Sequence, residues 1–175
     1  YGVYIIWDRK IDILKEVLVA PLSRTSIFVG KVLGGCTDSM IQAFIMLLIS
    51  FAVGVYLSPS AFLLAILILF LLSLSLVSTG LIIGSLMESP EGFNMIVSFL
   101  VFPLFFFSGA LYPLDKLPLW LSAITYIDPV TYGVDGLRTV TIGISQFPLY
   151  FDVGVLAAFA AVMFTVGTRA FERMK

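Results

Sequence analysis

The longest uncharged stretch of the chain covers residues 39–87, which include no Asp, Glu, Lys or Arg. The turn-forming sequence Ser58-Pro59-Ser60 divides this stretch into two apolar pieces, each long enough to cross a bilayer as a helix. The apolar residues follow one another without the 3.6-residue spacing of a helix that keeps one face in water. This pattern predicts membrane-spanning helices.

The composition indicates a lipid environment for the whole chain. Of its 175 residues, 60% are hydrophobic and 12% are charged, whereas soluble domains have roughly 45–50% and 25%. There is no histidine and a single cysteine, Cys36, so the commonest general base is missing and no intrachain disulfide can form. The formal net charge of −1 argues against a nucleic-acid partner. We predict no catalytic residues, no metal ligands and no cofactor site.

The predicted fold class is an all-α integral membrane protein, a polytopic helical bundle that forms one domain over residues 1–175. Residues 1–7 are expected to be the tail of a preceding helix that leaves the membrane at the aromatic pair Tyr4 and Trp7. Gly80 and Gly84 have the four-residue spacing that lets another helix approach closely. Four complete spans are predicted, at residues 32–57, 61–86, 93–111 and 149–167.

Basic residues predict the orientation in the membrane. Half of the ten Lys and Arg residues lie within residues 8–31, which places that segment in the cytoplasm by the positive-inside rule. Arg169, Arg173 and Lys175 follow the last span, so a cytoplasmic C-terminus is expected in a multi-pass protein of the plasma membrane.

Residues 11–24 predict a short amphipathic helix at the cytoplasmic face. Apolar side chains recur on one face of this helix, charged ones occupy another, and a proline prevents simple continuation. Its charged and terminating residues are Asp12, Lys15, Glu16, Pro21 and Arg24.

Residues 112–148 carry apolar pieces that are too short to cross a bilayer, which predicts re-entrant or interfacial helices on the outer side. Asp128 followed by Pro129 is a good N-cap with proline at the first helical position. Asp135 and Arg138 then lie three residues apart on one helix face, where an ion pair is expected.

Asp38 and Gln42 lie four residues apart at the start of the first span. An ionisable group near the membrane would mark a polar pathway. The alternative is that Asp38 merely reaches the interface, because the residues after it are long enough to cross by themselves.

Three stretches, in this order, carry a family resemblance. The first joins residues 8–10, Asp-Arg-Lys, with residues 15–24, Lys-Glu-Val-Leu-Val-Ala-Pro-Leu-Ser-Arg, and Gly30-Lys31. The second is residues 107–113, Phe-Ser-Gly-Ala-Leu-Tyr-Pro, which contains Gly109 and Pro113. The third is residues 128–138, in which Asp128 stands where the family usually has Asn. Together they resemble the type 2 permease family of ATP-binding-cassette (ABC) exporters.

The resemblance implies a six-span protein of which this chain is the C-terminal part, with residues 8–31 as a cytoplasmic coupling segment. It also implies an ABC ATPase as partner subunit, a second permease copy (the same chain or a close homologue), and a membrane lipid environment. The substrate would be hydrophobic or amphipathic, such as a drug, a lipid, or a glycolipid or polysaccharide. ATP hydrolysis would take place on the partner, so the chain itself would not be an enzyme.

Two other classes of protein remain as alternatives. An ion-coupled secondary transporter would place ionisable groups near the middle of the bilayer, and a membrane-embedded enzyme would need convergent polar residues there. The predicted spans are nearly devoid of such residues.

Overall fold

The computed structural model describes residues 2–10, 23–111 and 119–172, and its regular structure in these ranges is entirely helical. Four of the helices, α2, α3, α4 and α7, are long and apolar enough to cross a membrane. The predicted polytopic helical membrane fold is therefore confirmed. The helices are α1 (Gly2–Lys10), α2 (Arg24–Ala52), α3 (Pro59–Leu86), α4 (Pro90–Phe107), α5 (Leu119–Ile127), α6 (Pro129–Ile142) and α7 (Leu149–Glu172).

The first long helix begins earlier than the predicted span at residues 32–57. Ser23 caps α2, because its Oγ accepts a hydrogen bond from the backbone N–H of Ser26 at 3.1 Å. Lys31 lies inside the helix and pairs with Asp8 of α1, so a basic residue does not mark the boundary here. The helix ends at Ala52, before a turn in which Gly54 has a φ of 96°. Residues 11–22, most of the predicted amphipathic helix, lie outside the described residues.

The next two helices begin as local sequence chemistry dictates. Ser58 and Ser89 cap α3 and α4, and each is followed by a proline at the first helical position. In α4 the helix continues through Pro103 and ends at Phe107, as membrane helices do where neighbours compensate for the missing N–H.

Helix α3 is the centre of the bundle and contacts α1, α2, α4, α6 and α7. Gly84 of α3 lies directly against the backbone of Gly2 in α1, where a Cβ on either residue would overlap the other chain segment. The close helix approach expected from Gly80 and Gly84 thus occurs between α3 and α1.

One buried cluster joins α1, α2, α3 and α7 where α2 begins and α7 ends. Phe28 lies at its centre, fully buried, with its ring centroid 5.0 Å from that of Phe171 and 5.6 Å from that of Phe164. The Phe28 ring packs against the backbone of Gly167, where an added Cβ would overlap the ring. Because Thr25 and Glu172 are also hydrogen-bonded, at 3.1 Å, the start of α2 and the end of α7 lie at the same end of the bundle, which we call the basic end.

A second buried cluster, of Ile68, Tyr132 and Leu156, joins α3, α6 and α7 farther from the basic end. It holds the short helix α6 between two membrane-spanning helices. This packing positions the polar residues described next.

Candidate functional site

The turn between α5 and α6 is built from reciprocal polar contacts. Asp128 caps α6, since its Oδ1 accepts a hydrogen bond from the backbone N–H of Val130 at 2.8 Å. Thr131 donates its hydroxyl proton to the carbonyl oxygen of Thr125 at 2.9 Å, and the Tyr132 hydroxyl donates to that of Tyr126 at 2.7 Å. The predicted cap is confirmed, and these bonds fold the two helices into a tight pair.

This helix pair reaches deep into the bundle. A Cβ on Gly133 would lie 2.9 Å from Leu72 Cδ2, and one on Gly136 would lie 3.1 Å from Ile68 Cδ1, so α6 runs antiparallel to α3. Leu72 is midway along the 28-residue helix α3. The turn at Asp128 therefore lies between the midpoint of α3 and its C-terminal end, since Val130 lines a pocket with Leu76 and Gly80.

The length of α6 shows how it is placed in the membrane. Its 14 residues extend about 21 Å, less than the roughly 30 Å of a bilayer core. It starts deep and ends at Gly143, whose φ of 72° closes the helix. A helix of this length is too short to cross a bilayer core, as expected for the re-entrant or interfacial helices predicted here.

Asp135 and Arg138 of α6 do not form the ion pair expected from their spacing. Both carboxylate oxygens of Asp135 accept the backbone N–H of Gln146 at 3.0 Å, and Oδ2 also accepts that of Phe147 at 2.9 Å. The Arg138 guanidinium donates to the carbonyl oxygen of Gly109 at 3.0 Å. Each side chain binds backbone of a different segment because those backbone groups lack helical partners. Asp135 thereby fixes the α6–α7 loop, and Arg138 fixes the end of α4.

Asp152, in the first turn of α7, is an ionisable residue that the sequence reasoning missed. It is fully buried, and neither of its carboxylate oxygens has a hydrogen-bond partner among the described residues. Its Cβ lies 3.6 Å from where a Cβ on Gly136 would be, and the carboxylate of Asp135 is a like charge nearby. An aspartate inside the apolar run at residues 149–167 is the signal that could have identified it.

The remaining predicted residues are not brought together into one site. Asp38 and Gln42 lie on the exposed side of α2. Gly109 has a φ of 77° and is buried at the end of α4. The guanidinium of Arg24 donates to the carbonyl oxygen of Glu172 at 3.5 Å, at the basic end. Asp12, Lys15, Glu16, Pro21 and Pro113 lie outside the described residues.

The polar groups of this region are suited to holding helices and accepting hydrogen bonds, and they do not resemble a catalytic set. Among residues 2–10, 23–111 and 119–172, no group of three His, Cys, Asp or Glu side chains could hold a metal ion. The distinctive feature is instead the short helix pair α5–α6, which contains the buried residues Asp128 and Asp135.

Comparisons with known proteins agree with this architecture. The family model described as ABC-2 type transporter matches residues 1–142. The chain is 32% identical over 136 residues to ycf38 of Cyanophora paradoxa, which carries the name of a transport permease, and this match covers 77% of the chain and 47% of the relative.

Two bacterial relatives match a larger share of the chain. The inner membrane transport permease YadH of Escherichia coli is 27% identical over 154 residues, covering 87% of the chain and 59% of YadH. Nodulation protein J of Rhizobium leguminosarum is 25% identical over 159 residues, covering 91% of the chain and 61% of that protein. The chain thus spans about half the length of these relatives. With four apolar helices long enough to cross a membrane and a matching family model over most of its length, the chain belongs to the ABC-2 type transporter family.

Proposed function

We propose that the chain is the membrane-spanning permease part of an ABC exporter and moves a hydrophobic or amphipathic substrate out of the cell. The observation that carries this proposal is the family match over residues 1–142, which includes α6, the short helix that packs between α3 and α7. The related YadH and ycf38 carry the names of transport permeases. The apolar walls between the helices suit a drug, a lipid or a glycolipid.

The energy source in this proposal is ATP hydrolysed on a separate ABC ATPase subunit. The chain carries no phosphate-binding loop, because Val32 follows Gly30-Lys31 where such a loop requires Ser or Thr. A second permease copy would complete the transporter across the membrane. The protein would lie in the plasma membrane with its basic end, and so its C-terminus, in the cytoplasm.

Residues 11–24 are the proposed contact with the ATPase, because they combine an apolar face with the charges of Asp12, Lys15, Glu16 and Arg24 before the start of α2. Glu16→Lys reverses one charge at this contact, and a like-charge juxtaposition at an interface costs several kcal/mol. We expect the variant to insert normally, to lose the co-purifying ATPase, and to lose transport-coupled ATP hydrolysis.

The matched control is Glu88→Lys, the same charge reversal at an exposed position in the turn between α3 and α4. It is expected to retain the ATPase at equal expression. If as much ATPase co-purifies with the Glu16→Lys permease as with the Glu88→Lys control, and the two complexes hydrolyse ATP at the same rate, residues 11–24 are not the coupling segment.

Asp152 favours one second candidate, an ion-coupled secondary transporter. A buried, unpartnered carboxylate at membrane depth is the group that such a carrier uses to bind its coupling ion. The two functions differ in their energy source. Transport into inverted vesicles that requires ATP and survives a protonophore supports the exporter, whereas transport driven by an ion gradient without ATP supports the carrier.

A further inference from the structure

An ion pair between Asp8 and Lys31 brackets residues 11–24, the proposed contact with the ATPase. The side-chain ammonium group of Lys31 donates a hydrogen bond to Oδ2 of Asp8. Asp8 lies in the last turn of α1, which ends at Lys10, and Lys31 lies about two turns into α2. The pair therefore closes residues 8–31 into a loop near the basic end.

Packing holds the backbones of both partners in place. Ile5 lies three residues before Asp8 and Phe28 three residues before Lys31, and both are fully buried in the same apolar cluster. Residues three apart share a helix face, so each partner of the ion pair lies one turn from that cluster. The side chains of Lys31 and Asp8 are 23% and 26% exposed, and a partly buried pair is screened less by salt than an exposed one.

The ion pair supplies a direct tie between α1 and α2. Among the described helices, α1 packs mainly against α3 and α4, so its last turn is linked to α2 chiefly through this contact. With the pair intact, the two ends of the loop keep a fixed separation whatever path residues 11–22 take. When the pair is broken, the end of α1 can shift relative to α2, and the loop gains conformational freedom.

We infer that Asp8 and Lys31 are positioning residues for the ATPase, because their ion pair holds residues 11–24 in the arrangement that the ATPase binds. This inference rests on the proposed function and adds to it two residues that lie outside the proposed contact. Fixing both ends of a loop lowers its conformational entropy before the partner arrives, which strengthens binding. Neither side chain has to touch the ATPase for this effect.

Two substitutions break the pair from opposite sides. Asp8→Asn removes the negative charge and keeps the side-chain volume, whereas Lys31→Met removes the positive charge and keeps an unbranched apolar stem. The double variant Asp8→Asn/Lys31→Met removes both charges together. Glu172→Gln is the matched control, because it removes one negative charge at an exposed position of the basic end and keeps an oxygen that can accept the hydrogen bond from Thr25.

The experiment measures the affinity of the permease, reconstituted in lipid nanodiscs, for the purified ATPase that co-purifies with the wild type. Only folded, monodisperse permease is used, and the midpoint of thermal unfolding is recorded for each variant. We expect each single variant to weaken ATPase binding by about threefold to fivefold, as an ion pair of this exposure permits, and the control to change it by less than about twofold. The double variant should bind no more weakly than either single variant, because the pair can be lost only once.

Unchanged ATPase affinity in both single variants would overturn the inference. Additive losses in the double variant would also overturn it, because each side chain would then contact the ATPase by itself. A pair that only stabilises the bundle would lower the midpoint of thermal unfolding and leave the affinity of the folded permease unchanged. If the wild-type permease binds no ABC ATPase, the proposed function fails and the inference with it, whereas equal binding by the wild type and the variants overturns the inference alone.

Discussion

Replacing Asp135 with alanine is predicted to release the loop between α6 and α7 and to destabilise the protein. The carboxylate is 3% exposed and accepts the backbone N–H groups of Gln146 and Phe147 at 2.9–3.0 Å. A hydrogen bond to a charged group contributes about 1.5–3 kcal/mol. Because Gln146 and Phe147 are half-buried, water can reach the freed donors in part, so the lower value applies to each. The expected loss is therefore about 3 kcal/mol in the free energy of unfolding.

The assay is unfolding of the purified protein in mixed micelles titrated with a denaturing detergent, followed in parallel by protease cleavage within residues 143–148. Asp135→Asn keeps one acceptor oxygen and should lose about half as much stability. Ser145→Ala, at an exposed position of the same loop, is the control and should be silent. The reasoning is refuted if the free energy of unfolding of Asp135→Ala lies within about 0.5 kcal/mol of that of Ser145→Ala and the protease cleaves its loop no faster than that of the control.

Two further predictions concern packing and orientation. Gly84→Leu should separate α1 from α3, because a Cβ at this position already overlaps the backbone of Gly2. Gly154→Leu is the control and should be tolerated, because Gly154 is exposed and an added Cβ has no atom within 4 Å. We expect a lower midpoint of thermal unfolding for Gly84→Leu alone, and equal midpoints for the two variants would contradict the prediction. The proposed orientation predicts that Ser145→Cys reacts with an impermeant maleimide added to intact cells. Glu88→Cys, in the exposed turn between α3 and α4, should react only after the cells are permeabilised. The reverse labelling pattern would show that the orientation is inverted.

Much of the helical architecture follows from local chemistry and could be read in the sequence. A span is a long run of apolar residues, and Ser58-Pro59 and Asp128-Pro129 specify helix starts through contacts within one turn. The short length of α5 and α6 was predictable in the same way, since an apolar piece shorter than the bilayer cannot cross it. Helix α2 begins at Arg24, before the span predicted at residues 32–57, because Ser23 caps it. Lys31 within it pairs with Asp8 of α1, a contact between helices that no local pattern contains.

The partners of the buried polar residues were decided by the tertiary structure alone. The three-residue spacing of Asp135 and Arg138 predicts an ion pair, yet each binds backbone of another segment, because free peptide groups at helix ends compete for a charged side chain. Asp152 is buried only because α3, α6 and α7 meet around it at Ile68 and Gly136. Hydrophobic runs and caps depend on near neighbours in the chain, so the sequence determines them. Burial of a carboxylate depends on which helices pack together, and that is settled only when the whole bundle has formed.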